Sequence, residues 1–421
     1  LWQIRISFMR FVLAAVLLVI LTGCREDRPG SGGAAPAGPA IPIAARPSEP
    51  KAPDIEVTRA EAPPVDSSEA PAEGGPARPL TTRFALGPID DVGPAAPMTA
   101  TKDGVLFVSR ESRLYLAARD GKEGFIALKA PRESFSRYGR GPAVGESYAY
   151  FVSNQGELCR GHLETGEVQP LAPHARAGAR VSMTHVAGRD LVGYIGGQGD
   201  EALGFVWAEG IRGNPPETIR LTPEGAAATA ITLVPTQPHP YAVLLEGRTG
   251  MSPLHLRHLL VTARRVTPEE DEVVWVGPGS HPLTEIVSLP TGTKVQSFVA
   301  TAKDATHFGL AQLTLDPQAT AAVEPTWRPY PNGLDPAPVA ANRFCGGDFA
   351  VYAIPQHEKP RAPQDLVLAP IQNGILGKEE VLSHSRAYND ISVAAVKEGA
   401  IVAWTADHRT WAMVVGCGTK N

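Results

Sequence analysis

The sequence predicts an all-β fold built from a repeated four-stranded unit. Three observations predict it. Short apolar runs recur along the chain with turn residues between them. Those turns are of the Asn-x-Gly, Asp-Gly and Thr-Gly kinds that reverse a chain between antiparallel strands. Long amphipathic helical periodicity is missing, the one weak helical stretch being Pro253–Leu260.

The grammar is plainest in the first two units. Gly104–Ser109 and Arg113–Ala118 are apolar runs, Arg119-Asp120-Gly121-Lys122 turns the chain, and Phe125–Leu128 begins the next run. Tyr148–Ser153, the turn Asn154-Gln155-Gly156, Glu157–Leu163, the turn Glu164-Thr165-Gly166-Glu167 and Val168–Leu171 repeat it. Units fall at 90–130, 140–174, 180–222, 228–278, 284–328, 337–383 and 386–421. A spacing of roughly 45–50 residues suits four strands per blade of a β-propeller, a fold that manages exposed sheet edges by radial repetition. The last unit holds three strands, Ile391–Val396, Ala400–Thr405 and Trp411–Gly416, so Leu80–Leu86 is expected to supply the fourth and close the ring. Seven blades are expected, with six or eight as alternatives. Two packed β domains meeting near residue 225 are the alternative fold.

The N-terminus has its own pattern. Arg5 and Arg10 precede the apolar run Phe11–Leu21, the layout of a secretory signal. About a dozen apolar residues are too few for a membrane span, which needs roughly 20. The run ends in Leu21-Thr22-Gly23-Cys24, which resembles the lipobox of bacterial lipoproteins. The resemblance implies a signal peptide over 1–23, recognised through Leu21, Thr22 and Gly23, and lipid attachment at Cys24. It implies a cell-envelope protein, and Arg25, where an Asp would retain the protein at the inner membrane, implies the outer membrane. Several acyl chains anchor stably where one binds only marginally.

Residues 24–79 read as a disordered tether rich in Pro, Ala and Gly, including Ala62-Pro63-Pro64 and Glu73-Gly74-Gly75-Pro76. Fully extended, it would reach on the order of 170 Å. Residues 80–421 form the propeller-like domain. The chain is 43% hydrophobic and 20% charged, with a net charge of -5 that argues against a nucleic-acid surface. The domain resembles bacterial envelope β-propellers in rhythm rather than motif: the marks of WD40, kelch and TolB-type repeats are missing.

Four cysteines are present. With Cys24 carrying lipid, Cys345 and Cys417 are the candidate disulfide, the alternative being three buried thiols. The most unusual segment is Glu246-Gly247-Arg248-Thr249-Gly250, followed by His255 and His258. Its glycines permit close backbone approach and Arg248 could fork onto a carboxylate or phosphate, so Glu246, Arg248 and Thr249 are candidate binding residues. Arg137 and Arg140, flanking Tyr138-Gly139, are a second candidate contact. His255 and His258 would share a helix face but point apart on a strand, and a strand is expected, so no metal is assigned. The run Glu269-Glu270-Asp271-Glu272 reads as a solvated turn guarding the following apolar strand. Ser383-His384-Ser385, Asp407-His408 and Cys345-Gly346-Gly347-Asp348 form no recognised nucleophile arrangement.

These readings assign no catalytic residue and no cofactor. The expected function is a monomeric, membrane-anchored binding or scaffold module for an envelope protein, peptide or glycan. The alternative is an envelope hydrolase or lyase with His185, His281, His307 and Asp390 around a central channel.

Overall fold

The computed structural model describes residues 80–85, 98–108, 114–118, 125–127, 141–176, 180–198, 201–211, 213–247, 252–262, 264–269, 272–277, 285–302, 308–317, 323–329, 338–356, 363–386, 388–406 and 409–418. Their strands form seven antiparallel sheets. The first strand, β1 (Leu80–Ala85), joins the last sheet. Sheet 1 holds β2 (Met98–Thr101), β3 (Gly104–Val108), β4 (Leu114–Ala118) and β5 (Phe125–Ala127). Sheet 2 holds β6 (Ala143–Val144), β7 (Tyr148–Val152), β8 (Leu158–His162) and β9 (Val168–Ala172). Sheet 3 holds β10 (Ser182–Val186), β11 (Arg189–Gly196), β12 (Leu203–Ala208) and β13 (Glu217–Arg220).

Sheet 4 holds β14 (Ala228–Val234), β15 (Tyr241–Glu246), β16 (Ser252–Val261), β17 (Val266–Pro268) and β18 (Glu272–Gly277). Sheet 5 holds β19 (Glu285–Thr291), β20 (Lys294–Ala302), β21 (Phe308–Leu315) and β22 (Thr326–Pro329). Sheet 6 holds β23 (Val339–Phe344), β24 (Gly347–Pro355), β25 (Gln364–Gln372), β26 (Ile375–Leu376) and β27 (Glu380–Ser385). Sheet 7 holds β28 (Tyr388–Val396), β29 (Gly399–Ala406) and β30 (Arg409–Cys417), and β1 completes it by pairing antiparallel with β30 from Leu80↔Cys417 to Ala85↔Met413.

The first strand of each sheet neighbours the first strand of the next, from β2 through β6, β10, β14, β19, β23 and β28 back to β2. This closed order, with each sheet a meander running outward, is a β-propeller. Its core lies between sheets, not inside one sandwich. Leu106 and Phe151 pack in one cluster of sheets 1 and 2, Tyr150 and Val192 in one of sheets 2 and 3, and Leu191 and Leu244 in one of sheets 3 and 4. Val243 and Val299 join sheets 4 and 5, a larger cluster spans sheets 5 to 7, and Phe107 and Ile401 join sheets 1 and 7. Because both faces of each sheet are covered, central strands such as β11 and β29 are buried along their whole length. That explains the apolar stretches Leu191–Ile195 and Ala400–Trp404 within them, where a one-sided sheet would alternate.

Two details depart from the sequence reading. Pro253–Leu260 lies in strand β16, not a helix: its β-branched and aromatic partners on β15 and β18 override a weak helical period. Sheets 4 and 6 also exceed four strands. Their third strands, β16 and β25, are long enough to pair two successive outer segments each. Nothing breaks the ring near residue 225, since Leu221 and Ala228 share one buried cluster.

Neighbouring inner strands have no continuous backbone ladder between them, so short polar side chains take up their amides. The Ser392 hydroxyl accepts from Ala100 N–H at 2.9 Å and pairs with Thr99 Oγ1 at 2.9 Å, tying β28 to β2. Ser182 Oγ accepts from Leu233 N–H at 2.8 Å, and Asn342 Nδ2 donates to Val393 O at 3.0 Å.

Candidate functional site

The chain enters each inner strand at the same end of the ring, and charged side chains meet there. Arg180 stands two residues before β10, Glu285 opens β19, and Asp390 is the third residue of β28, just past a register shift. Arg180 Nη2 is 2.8 Å from Asp390 Oδ1 and 3.5 Å from Glu285 Oε1. The carboxylates also accept from the backbone. Gly141 N–H donates to Asp390 Oδ2 at 3.3 Å, and Val339 N–H donates to Glu285 Oε2 at 3.1 Å. Asp390 Oδ1 further accepts from Ile391 N–H at 3.0 Å. One hub therefore links the starts of sheets 2, 3, 5, 6 and 7.

The two acids are 4 to 6% exposed and the arginine 22%. Burial works against a charged guanidinium, but Glu285 and Asp390 outweigh it and hold the Arg180 pKa above its ordinary value. Position 141 must be glycine. A Cβ there would lie 1.7 Å from Met98 O, so only a bare backbone passes close enough to β2 to deliver its N–H to Asp390.

A second polar cluster sits at the opposite end of sheets 2 and 3. Asp190, the second residue of β11, accepts from the Tyr150 hydroxyl and lies 2.7 Å from His185 Nδ1. The His185 side chain is 61% exposed. Burial first, and then the bond to Asp190, raise the Tyr150 phenol well above its ordinary value. Arg189, 1% exposed beside it, donates to Glu209 O at 2.7 Å. Arg160 Nη1 reaches Glu209 Oε1 at 2.9 Å and its guanidinium lies over the Tyr148 ring.

The structure disperses several residues that looked associated in sequence. Glu246 is buried and its Oε2 is 2.9 Å from His255 Nε2. It belongs to the interior, not to an open binding loop. His258 points elsewhere, with Nδ1 2.5 Å from Glu269 and its ring against Tyr241, as strand alternation dictates. Glu269 is thus a hydrogen-bond partner. His384 Nδ1 bonds Asp365 at 2.7 Å on the exposed surface. His185 and Asp390 lie at opposite ends of the ring's inner strands and make no common site. Arg137, Arg140, Arg248, Thr249, His281 and His307 lie outside the described residues, as do Leu21, Thr22, Gly23 and Cys24.

Cys345 and Cys417 are joined as a disulfide with Cα atoms 5.3 Å apart. Cys345 and Gly346, both at positive φ, make the two-residue turn between β23 and β24, while Gly347 already pairs in the strand. The hub residues Arg180 and Glu285 escape sequence reading. The only signal is a charge immediately before an apolar strand, and such charges are usually solvated.

No protein-family model matches the chain, and no curated protein matches its sequence. Solved structures resemble it in fold. A chain of the mitotic checkpoint complex crystal structure superposes with a TM-score of 0.52 at 11% identity, covering 86% of this chain and 100% of its own. The Cps50 (Swd1) β-propeller domain of Myceliophteria thermophila gives 0.48 at 10% identity, covering 78% and 99%. A PL25 ulvan lyase bound to -[GlcA(1-4)Rha3S]- gives 0.49 at 8% identity, covering 79% and 96%. At 11% identity the likeness to the checkpoint-complex chain is one of fold alone.

Proposed function

We propose that this chain is a lipid-anchored cell-envelope protein, held at the outer membrane through Cys24, whose ring is a non-enzymatic binding or scaffold module. We read the seven sheets as seven blades, the last completed by β1. The observation that carries the scaffold reading is the Arg180–Glu285–Asp390 hub. Its acids are engaged by a cation and by backbone amides from across the ring. Groups held this way rigidify a platform, whereas a working acid or base needs access to substrate. The disulfide is in keeping with export to an oxidising compartment.

The test is cross-linking of the native protein in intact cells, with mass spectrometry of what is recovered and a Cys24→Ser form as control. A dominant envelope protein recovered with the wild type and lost with the control is expected. Equal recovery from both forms, or labelling of cytoplasmic proteins alone, would refute the anchored reading. Recovery of no protein would remove a protein partner and direct the search to a glycan or peptide ligand.

A further inference from the structure

Ring closure rests on an outer strand held from one side. β1 is the outermost strand of sheet 7 and pairs only with β30 among the described residues. Leu80 is the register partner of Cys417, and Cys417 is the last residue of β30. Cys417 N–H donates to Glu398 O at 2.8 Å, and its sulfur is bonded to Cys345 in the β23–β24 turn of sheet 6. The strand that carries the closing ladder is therefore covalently fastened to the neighbouring sheet, at the point where the ladder begins. Both cysteines are half-buried, so an external thiolate can approach them.

We propose that Cys345–Cys417 is a redox latch on ring closure, opened by a dithiol reductant. One dithiol sulfur attacks a disulfide sulfur, the S–S bond breaks, and its electron pair leaves on the other cysteine, which takes a proton. The second dithiol sulfur then attacks the mixed disulfide and releases the remaining cysteine as a thiol. The dithiol is oxidised by two electrons and the protein disulfide is reduced by two. Once free of sheet 6, the end of β30 frays together with β1, while the other sheets keep their own ladders. The latch concerns the ring alone and holds whether or not Cys24 carries lipid.

Hydrogen exchange on the full-length chain tests it, before and after native-state reduction with dithiothreitol. Thiol counting by alkylation accompanies both states. Cys159 is buried, with its thiol pushed up to about 11 mainly by burial, so it stays unlabelled while folded. Reduction should expose two new thiols and speed exchange in Leu80–Ala85 and the end of β30 by roughly tenfold or more, with sheets 2 to 4 unchanged. Reoxidation should restore protection. Two thiols already alkylated before reduction would overturn the latch. Unchanged exchange in β1 would do so too, as would an equal rise in every sheet. Reduction acts on the folded protein, so the outcome does not depend on a cysteine variant folding.

Discussion

Replacing Arg180 by methionine removes the cation of the hub while keeping a long side chain. Glu285 and Asp390 stay buried, at 4 and 6% exposure, and both lose the Arg180 guanidinium as an ion-pair partner. Breaking a buried ion pair from one side costs about 3–5 kcal/mol. Arg180 itself retains 22% exposure, and both acids keep backbone donors, which places the expectation near the low end, about 3 kcal/mol. An unfolding entropy of about 2.1 cal/mol/K per residue over roughly 340 residues turns this into a fall in Tm of about 4 °C. Urea titration followed by tryptophan fluorescence, with calorimetry alongside, measures both quantities. The same substitution in a Glu285→Gln/Asp390→Asn background should cost much less, because no buried negative charge remains to be stranded. A loss below about 1 kcal/mol for Arg180→Met, or an equal loss in both backgrounds, would refute the ionic coupling of Arg180 to the two acids.

Two further outcomes follow from the same geometry. Gly141→Ala should lose about 3 kcal/mol or more, or fail to fold, because its Cβ would sit 1.7 Å from Met98 O. Gly188→Asn, at a left-handed position with no atom within 4 Å, should be nearly neutral; comparable melting temperatures for the two variants would contradict the close approach. In alkali, Tyr150 is held above its ordinary value and Tyr194 is pushed up to about 12, in both cases chiefly by burial. Folded-state phenols with raised pKa bind protons that the unfolded chain releases above about 10, so stability is full below that pH and falls as pH rises through the window. Stability measured from about pH 9 to 11.5 should fall less steeply for Tyr150→Phe/Tyr194→Phe than for the wild type, and parallel curves would count against it.

Much of the fold was legible because strand length, turn chemistry and apolar content are local. Asn154-Gln155-Gly156 and Thr165-Gly166 announce hairpins wherever they occur. The three-stranded final unit pointed to a closing strand near Leu80, and β1 pairs with β30 there. The site was less legible. Glu246 looked like a loop residue beside Gly247, but its partner His255 comes from the adjacent strand and draws it inside. Asp390 was named for a channel shared with His185, but the two belong to different ends. The number of segments in sheets 4 and 6 also escaped, since it depends on how far β16 and β25 extend past their neighbours.

The sequence by itself determined the local pieces: which segments become strands, where they reverse, and that each sheet must cover both faces. Those properties depend on side-chain period and on backbone torsions within a few residues. Only the tertiary structure decided which charges meet. Arg180 and Asp390 are separated by 210 residues yet come within 2.8 Å, because ring closure brings the starts of inner strands to one axis. It also decided that Cys345 and Cys417, the candidate pair whose alternative was three buried thiols, face each other across sheets 6 and 7. Such encounters depend on the summed twist and stacking of every sheet around the ring, and no local stretch of residues encodes that sum.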